Sequence, residues 1–249
     1  MEEKTKKILD EINDKTEEIN ISKMKIKGML NLKKFNKLTR INCNFNIVKK
    51  LSGLGENLIE LNCVNNCIKL LDDLPPNLLY LDCSYNRITS LNNLPLSLEI
   101  IICSSNKLVN LDYLPQGLKE LDCAFNEILT LDNLPSSLKE INCSFNKIKS
   151  LDNLSNNVKN LNCSYNPINS LNNLPQNLVK LDCSNTFIQD ISKIPQSIEY
   201  LNISYSKLGE FKNLCFPPNI KHIVTNEFYA DKYTTTKCKV EVDYFKYSN

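Results

Sequence analysis

Leu81–Pro95, LDCSYNRITSLNNLP, is one copy of a unit that returns every twenty residues from Leu38 to Pro195. Cysteine marks the period at Cys43, Cys63, Cys83, Cys103, Cys123, Cys143, Cys163 and Cys183, each two residues after a Leu or Ile. Three residues beyond each of the first seven stands an asparagine, giving the series Asn46, Asn66, Asn86, Asn106, Asn126, Asn146 and Asn166. Thr186 and Ser206 take that place in the last two turns. So regular a repeat points to a stack of equivalent units, each burying its apolar side against the next, rather than a domain with one central core.

Strand alternation within the unit sends Leu81 and Cys83 inward and Tyr80, Asp82 and Ser84 outward, with the strand running from Tyr80 to Ser84. Asn86 then turns inward, where its amide can pair with backbone groups that a sharp bend strips of partners. Ile88, Leu91 and Leu94 carry the return path. A twenty-residue turn leaves too few residues there for a helix of several turns, and Pro75, Pro95, Pro115, Pro135, Pro175 and Pro195 favour an extended, polyproline-like or 3-10 return. The frame LxxLxCxxNxIxxLxxLPxx matches the general leucine-rich-repeat pattern. The fold expected is a repeat solenoid: a curved right-handed coil with a parallel β-sheet on its concave face, mostly β and irregular, and a short helical cap at the N-terminus.

One elongated domain is expected, in three parts: residues 1–37 as helical cap and degenerate first turn, 38–225 as the array, and 226–249 as a C-terminal cap. In residues 1–20, Ile8, Leu9, Ile12 and Ile19 share one face of a charged segment, which predicts an amphipathic helix that seals the stack or meets a partner. From Lys23 to Arg40 the chain carries seven basic residues and no acidic one. This stretch is a solvated cap surface or an attractor for phosphate or acidic protein. Ile198, Leu201, Ile203, Leu208, Phe211 and Leu214 form a ninth turn without the cysteine. Two extra residues near Pro217 and Pro218 precede Ile220 and Ile223. The tail, with Phe228, Tyr229, Tyr233, Tyr244, Phe245 and Tyr247 and with Val240, Val242 and Tyr244 alternating, reads as a strand-bearing cap that covers the last sheet edge or offers it to a second copy.

Formal charge is +2, but the first fifty residues hold thirteen Lys/Arg against seven Asp/Glu, leaving 17 against 21 for the rest. No apolar run reaches membrane-span length, and MEEKTKKILDEIN lacks the apolar core of a secretory signal. The repeated cysteines read as packing residues: in-register neighbours lie about 4.8 Å apart with parallel bonds, whereas a disulfide wants Cβ atoms about 3.8 Å apart and converging. Reduced thiols and an intracellular, cytoplasmic setting are expected, in a host cell or a virion.

The pattern LPxxLxxLxCSxNxIxxLxNLP, seen in Leu94–Pro115 and Leu114–Pro135, resembles the short twenty-residue leucine-rich repeats of bacterial type III-secreted effectors. It is similar also to the Cys- and Asn-rich leucine-rich-repeat proteins of giant DNA viruses of amoebae. The resemblance covers roughly residues 38–214. It implies a protein-interaction scaffold with a curved parallel sheet. Some bacterial relatives carry a cysteine-dependent ubiquitin ligase domain after the repeats; the residues following Leu214 are too few for it, and no ligase activity is expected.

An enzyme of the usual kind brings a nucleophile, a base and an orienting group together. The chain has one histidine, His222, at an outward strand position. Cys63 and Cys67 stand four apart, but one belongs to the packed column and the other to a bend, and paired zinc knuckles are absent. Nothing in the spacing of Cys215 and Cys238 assigns them a role. Asp72, Asp112, Asp132 and Asp152, with Asn92 and Asn172 in the same row, are turn caps or an adventitious calcium row. No cofactor, metal or catalytic activity is expected.

Function is therefore sought in the outward strand columns, which are polar and shallow and suit a protein rather than a small molecule. Tyr80, Ile100 and Ile102 form an apolar patch there, flanked by Glu120 and Asp122; with Asp82, Glu140, Asn142 and Asn162 they make up the candidate partner surface. Drift between repeats would account for the patch equally well. Phe45, Tyr85, Phe125, Phe145, Tyr165 and Tyr205 form a partial column beside the asparagines, read as a shield for that row. The expected function is a non-enzymatic scaffold for a protein partner, monomeric or weakly dimeric, without nucleic acid or a membrane span. The alternative is a structural or particle-associated protein that self-associates through its C-terminal edge.

Overall fold

The computed structural model describes residues 3–208, 216–226 and 239–242. The chain falls into two compact units, Met1–Glu127 and Ile128–Asn249.

The first unit begins with α1 (Glu3–Asp10). Eight strands follow: β1 (Glu18–Asn20), β2 (Lys27–Asn31), β3 (Arg40–Asn42), β4 (Ile47–Ser52), β5 (Glu60–Asn62), β6 (Tyr80–Asp82), β7 (Ile100–Ile102) and β8 (Glu120–Asp122). Strands β1, β3, β5, β6, β7 and β8 pair in that order, all parallel. Their register keeps equivalent residues side by side, as in Leu81 beside Ile101 beside Leu121. The second unit repeats the plan with β9 (Glu140–Asn142), β10 (Asn160–Asn162), β11 (Lys180–Asp182), β12 (Tyr200–Asn202), β13 (His222–Thr225) and β14 (Lys239–Val242). Tyr200 pairs with His222, so the two extra residues read near Pro217 are absorbed between β12 and β13.

Each strand spans three residues in most turns, yet pairing continues past it. The Cys83 N–H donates to the Ile102 carbonyl at 2.8 Å and the Tyr85 N–H to the Ser104 carbonyl at 2.9 Å. Tyr85 then takes φ +54°, in the left-handed region, as do Phe45, Asn65, Ser105, Phe125, Phe145, Tyr165, Asn185 and Tyr205 at the same repeat position. A non-glycine residue there costs on the order of 1–2 kcal/mol. The bend it makes swings the next residue, the repeated asparagine, into the stack. Asn86 Nδ2 lies within hydrogen-bond distance of the carbonyls of Cys63 (2.9 Å), Cys83 (3.0 Å) and Ser84 (3.1 Å), and Oδ1 accepts from the Ile68 N–H at 2.9 Å. One side chain thus ties its own bend to the preceding turn, and the same set recurs at Asn66 and Asn126. Thr186 makes only the local bond, to the Cys183 carbonyl at 2.6 Å.

The interior is a set of columns. In the first unit Leu78, Leu98 and Leu118 precede the strands, Leu81, Ile101 and Leu121 sit at their centres, and Ile68, Ile88 and Leu108 start the return path; in the second, Leu138 and Leu178, Ile141 and Leu161, and Ile148 and Ile168 take the same places; all are buried. Full burial of such a side chain contributes about 1.5–3 kcal/mol. The return is irregular rather than helical in both units, closed before the next strand by a tight turn in which the Pro95 carbonyl accepts from the Leu98 N–H at 3.2 Å, with the same bond at Pro115, Pro135 and Pro175. In the first unit β2 and β4 form a separate two-stranded parallel sheet on this path, which the twenty-residue frame does not announce.

The repeated cysteines are free and buried. Their thiols point along the stack: Cys103 Sγ approaches the Asp122 carbonyl at 3.3 Å, and Cys163 Sγ the Asp182 carbonyl at 3.3 Å. Burial pushes the Cys43 thiol up to about 12 and the Cys63 and Cys103 thiols well above their ordinary value. A thiol so held is neither nucleophile nor metal ligand.

The ends differ from the sequence reading. The helix stops at Asp10, where Lys34 Nζ donates to the Leu9 carbonyl at 2.5 Å; Leu9 is buried while Ile8 and Ile12 are half-buried. Ile19, expected on the same helical face, is instead the buried centre of β1 and pairs with Ile41. The sheet therefore begins at Glu18. Phe211, Leu214, Cys215, Phe228, Tyr229, Tyr233, Cys238, Tyr244, Phe245 and Tyr247 lie outside the described residues.

Asn86→Ala is expected to cost about 1–3 kcal/mol in urea unfolding, because it strands the Ile68 N–H and three carbonyls, and Asn86→Thr to cost less by keeping the local bond. Equal losses would mean that the bridge to the preceding turn contributes nothing. Native-state alkylation at pH 8, read site by site by mass spectrometry, should label half-buried Cys67 long before Cys43, Cys63 or Cys83. Comparable rates would contradict a packed thiol column.

Candidate functional site

The outward positions of the strands are what the stack leaves unused. In the first unit the register sets Glu60, Tyr80, Ile100 and Glu120 in one row and Asn62, Asp82, Ile102 and Asp122 in the next. Neighbours within a row sit one strand spacing apart, about 4.8 Å. Tyr80, Ile100 and Ile102 are therefore in mutual reach, half-buried by one another and by their rim. Asp82 and Asp122 flank Ile102, while Glu60 and Glu120 close the ends of the other row.

These eight positions hold four carboxylates and no cation. The Tyr80 phenol registers the consequence. Its pKa is raised, first by partial burial and then by the Asp82 and Glu60 charges. Glu60, which periodicity places in the Tyr80 column one turn earlier but which is outside the candidate surface named from the sequence, belongs to the rim, and Asn62 Nδ2 donates to its Oε1 at 2.7 Å. On the side of β1 and β3 a shallow hollow of about 230 Å³ opens over Glu18, Asn20, Arg40, Asn42 and Glu60, and Arg40 is paired there with Glu18.

One expected column is only partly on this surface, with Asn44, Val64 and Ser104 half-buried. Ser84, Ala124, Ser144, Ser164, Ser184 and Ser204 are buried, because the chain already turns inward after the third strand residue. Ser84 donates through both its N–H (3.1 Å) and Oγ (2.7 Å) to Asp82 Oδ1, and Ser184 treats Asp182 in the same way. These serines hold the outward acid in place instead of meeting a partner.

In the second unit Glu140 is exposed and Asn142 and Asn162 are half-buried on β9 and β10, with Glu140 beside Asn160 and Asn142 beside Asn162. Asn142 and Asn162 accept at Oδ1 from Ser144 Oγ and Ser164 Oγ, both at 2.8 Å, so this stretch is a row of oriented amides. His222 lies on the same face, at the outward position expected, edge-on to Tyr200 at 5.2 Å between ring centroids, with Nε2 2.8 Å from Glu241 Oε2.

The aromatic column immediately precedes the asparagine position in sequence, and Tyr85 is 60% exposed. Phe145 and Tyr165 stack at 3.9 Å with an interplanar angle of 11°, and Lys23 stands over the Phe45 ring. In the second unit the return-path acids serve as caps: Asp152 accepts from Ser150 Oγ at 2.5 Å and Asn173 Nδ2 at 2.6 Å, which holds its carboxyl below the ordinary carboxylate range. Among the described residues no three His, Cys, Asp or Glu side chains are grouped to hold a metal ion, and no helix is long and apolar enough to cross a membrane.

Asp82→Asn keeps the Oδ1 acceptor for Ser84 and removes the charge. It is expected to lower the Tyr80 titration midpoint, followed through the Cζ resonance of labelled tyrosine. An unchanged midpoint would mean that the carboxylate field does not reach the apolar patch.

No family model and no curated protein sequence matches the chain. Solved structures do. YopM from Yersinia enterocolitica WA-314 superposes with a TM-score of 0.74 at 32% identity over 81% of this chain and 45% of that one. The functional domain of InlJ from Listeria monocytogenes, described as including a cysteine ladder, gives 0.68 at 29% identity over 84% and 50%. YopM from Yersinia pestis, described as a leucine-rich effector protein, gives 0.61 at 26% over 83% and 70%. The chain thus spans about half the length of the first two structures. The viral side of the sequence resemblance finds no support among these bacterial neighbours. Repeat frame, strand register and neighbours together identify the chain as a leucine-rich-repeat solenoid, similar to the repeat domains of bacterial effector proteins.

Proposed function

We propose that the chain is a non-enzymatic, effector-like scaffold that captures a protein partner on the strand face of its first unit, centred on Tyr80, Ile100 and Ile102. The observation that carries the reading is the composition of that face: three adjoining apolar side chains inside a rim of Glu60, Asp82, Glu120 and Asp122. Protein interfaces draw most of their affinity from an apolar centre whose polar rim excludes water. Such a face favours a partner segment with a large apolar residue flanked by Lys or Arg. The rim attraction speeds encounter and selects against acidic competitors. The similarity to a structure described as a leucine-rich effector protein supports the scaffold reading.

Affinity capture from a lysate, with wild type and Ile100→Glu/Ile102→Glu compared by quantitative mass spectrometry, tests it. Both side chains are outward and half-buried, so the double variant should fold, as checked by circular dichroism. It is expected to lose the partners that wild type retains. Retention of the same partners at the same level would remove this face as the binding surface.

A further inference from the structure

The two-stranded sheet on the return path of the first unit has no part in the binding face proposed above. Between Glu18 and Glu56 the sequence holds eight lysines and Arg40 and not one acidic residue. The structure engages some of these cations. Arg40 pairs with Glu18, Lys34 with Asp10 and the end of α1, and Lys23 sits over Phe45. The lysines of the β2–β4 sheet are different: among the described residues Lys27, Lys49 and Lys50 enter no ion pair, nor does Lys69 on the adjoining turn.

Register turns these lysines into a pattern. Lys27 pairs with Ile47 and Met29 with Lys50, so cation and aliphatic side chain alternate both along and across the two strands. A shift of register between Gly28 and Met29 leaves Lys49 as an extra residue, and both Lys49 and Lys50 are exposed as a result. Gly28, at φ +72°, supplies the backbone freedom for the irregularity. Met29 and Ile47, one on each strand, are each 42% exposed. The Cys67 N–H donates to the Val48 carbonyl at 2.8 Å, which brings the next turn, with exposed Lys69, against β4.

We propose that the outer face of the β2–β4 sheet is a docking surface for an anionic lipid bilayer. Uncompensated lysines answer the charge of anionic headgroups, and interleaved Met29 and Ile47 enter the boundary between headgroup and acyl chain. Single-stranded nucleic acid, the other common polyanion, is gripped through aromatic platforms on which bases stack, and the side chains set among these lysines are aliphatic.

Vesicle flotation tests the proposal, using phosphatidylcholine alone and phosphatidylcholine with about one-third phosphatidylserine. Wild type is expected to float only with the anionic vesicles and to be released as salt rises, since screening shortens the reach of exposed charges. Each lysine near such a surface is worth roughly a five-fold gain in affinity, so losing three weakens binding by on the order of a hundred-fold, and Lys27→Glu/Lys49→Glu/Lys50→Glu, which also reverses the charges, should weaken it by at least that much. Met29→Ser/Ile47→Ser should weaken it without changing the salt dependence, and Lys139→Glu/Lys159→Glu, in the second unit, should have no effect. If the triple variant does not fold, Lys27→Gln/Lys69→Gln decides in its place. No flotation with anionic vesicles, or undiminished flotation of a folded sheet variant, overturns the proposal. Tight binding of a poly(U) probe without binding to anionic vesicles overturns it in favour of nucleic acid.

Discussion

The asparagine at the inner bend is the constraint on which both units rest. Three-residue strands offer few backbone bonds per turn, and the sharp bend after them would leave buried carbonyls and an N–H unpaired. Asn86 pairs four such groups, two of them in the preceding turn, at distances of 2.9–3.1 Å. No apolar residue can replace it, and an aspartate lacks the donor. The left-handed residue before it is the local cost of aiming the amide inward, offset by the bonds that follow. The short strand, the return turn and the packed columns all presuppose that bend.

From this follows the separation between packing and recognition. Leu81, Cys83, Asn86, Ile88, Leu91 and Leu94 are spent on the stack. Ser84 joins them, because its hydroxyl fixes Asp82 from beneath. What remains variable without harm to the stack is the outward pair in each strand, and in the first unit that pair changes from polar to apolar at Tyr80, Ile100 and Ile102 within an acidic surround. The β2–β4 sheet is the reverse case, aliphatic side chains set among lysines. Two surfaces of opposite charge therefore sit on one unit.

The sequence made most of the architecture legible. A twenty-residue spacing of Cys and Asn sets strand position, register and the inward columns, and the structure keeps all of these. It misplaced Ser84, because alternation continues on paper where the chain has already bent. It carried the helix past Asp10, because Ile19 fits a helical face as well as a strand centre. The β2–β4 sheet escaped notice because IKGML and IVKKLS lie on the return path, which the later turns leave irregular, and pair only through a bulge. Within the site, Tyr80, Ile100 and Ile102 stood out as exceptions to a polar column. Glu60 did not, since a glutamate there looks ordinary until the row beside it is seen in register.

The most direct test of the asparagine bridge is native-state hydrogen exchange at the Ile68, Ile88 and Leu108 amides, whose N–H groups donate to Asn86, Asn106 and Asn126. If the bridges hold the turns together, these amides exchange only through the cooperative opening that also exposes the Leu81, Ile101 and Leu121 amides, with the same free energy. Exchange at the rate of an unprotected bend, while the strand amides stay protected, would contradict the account.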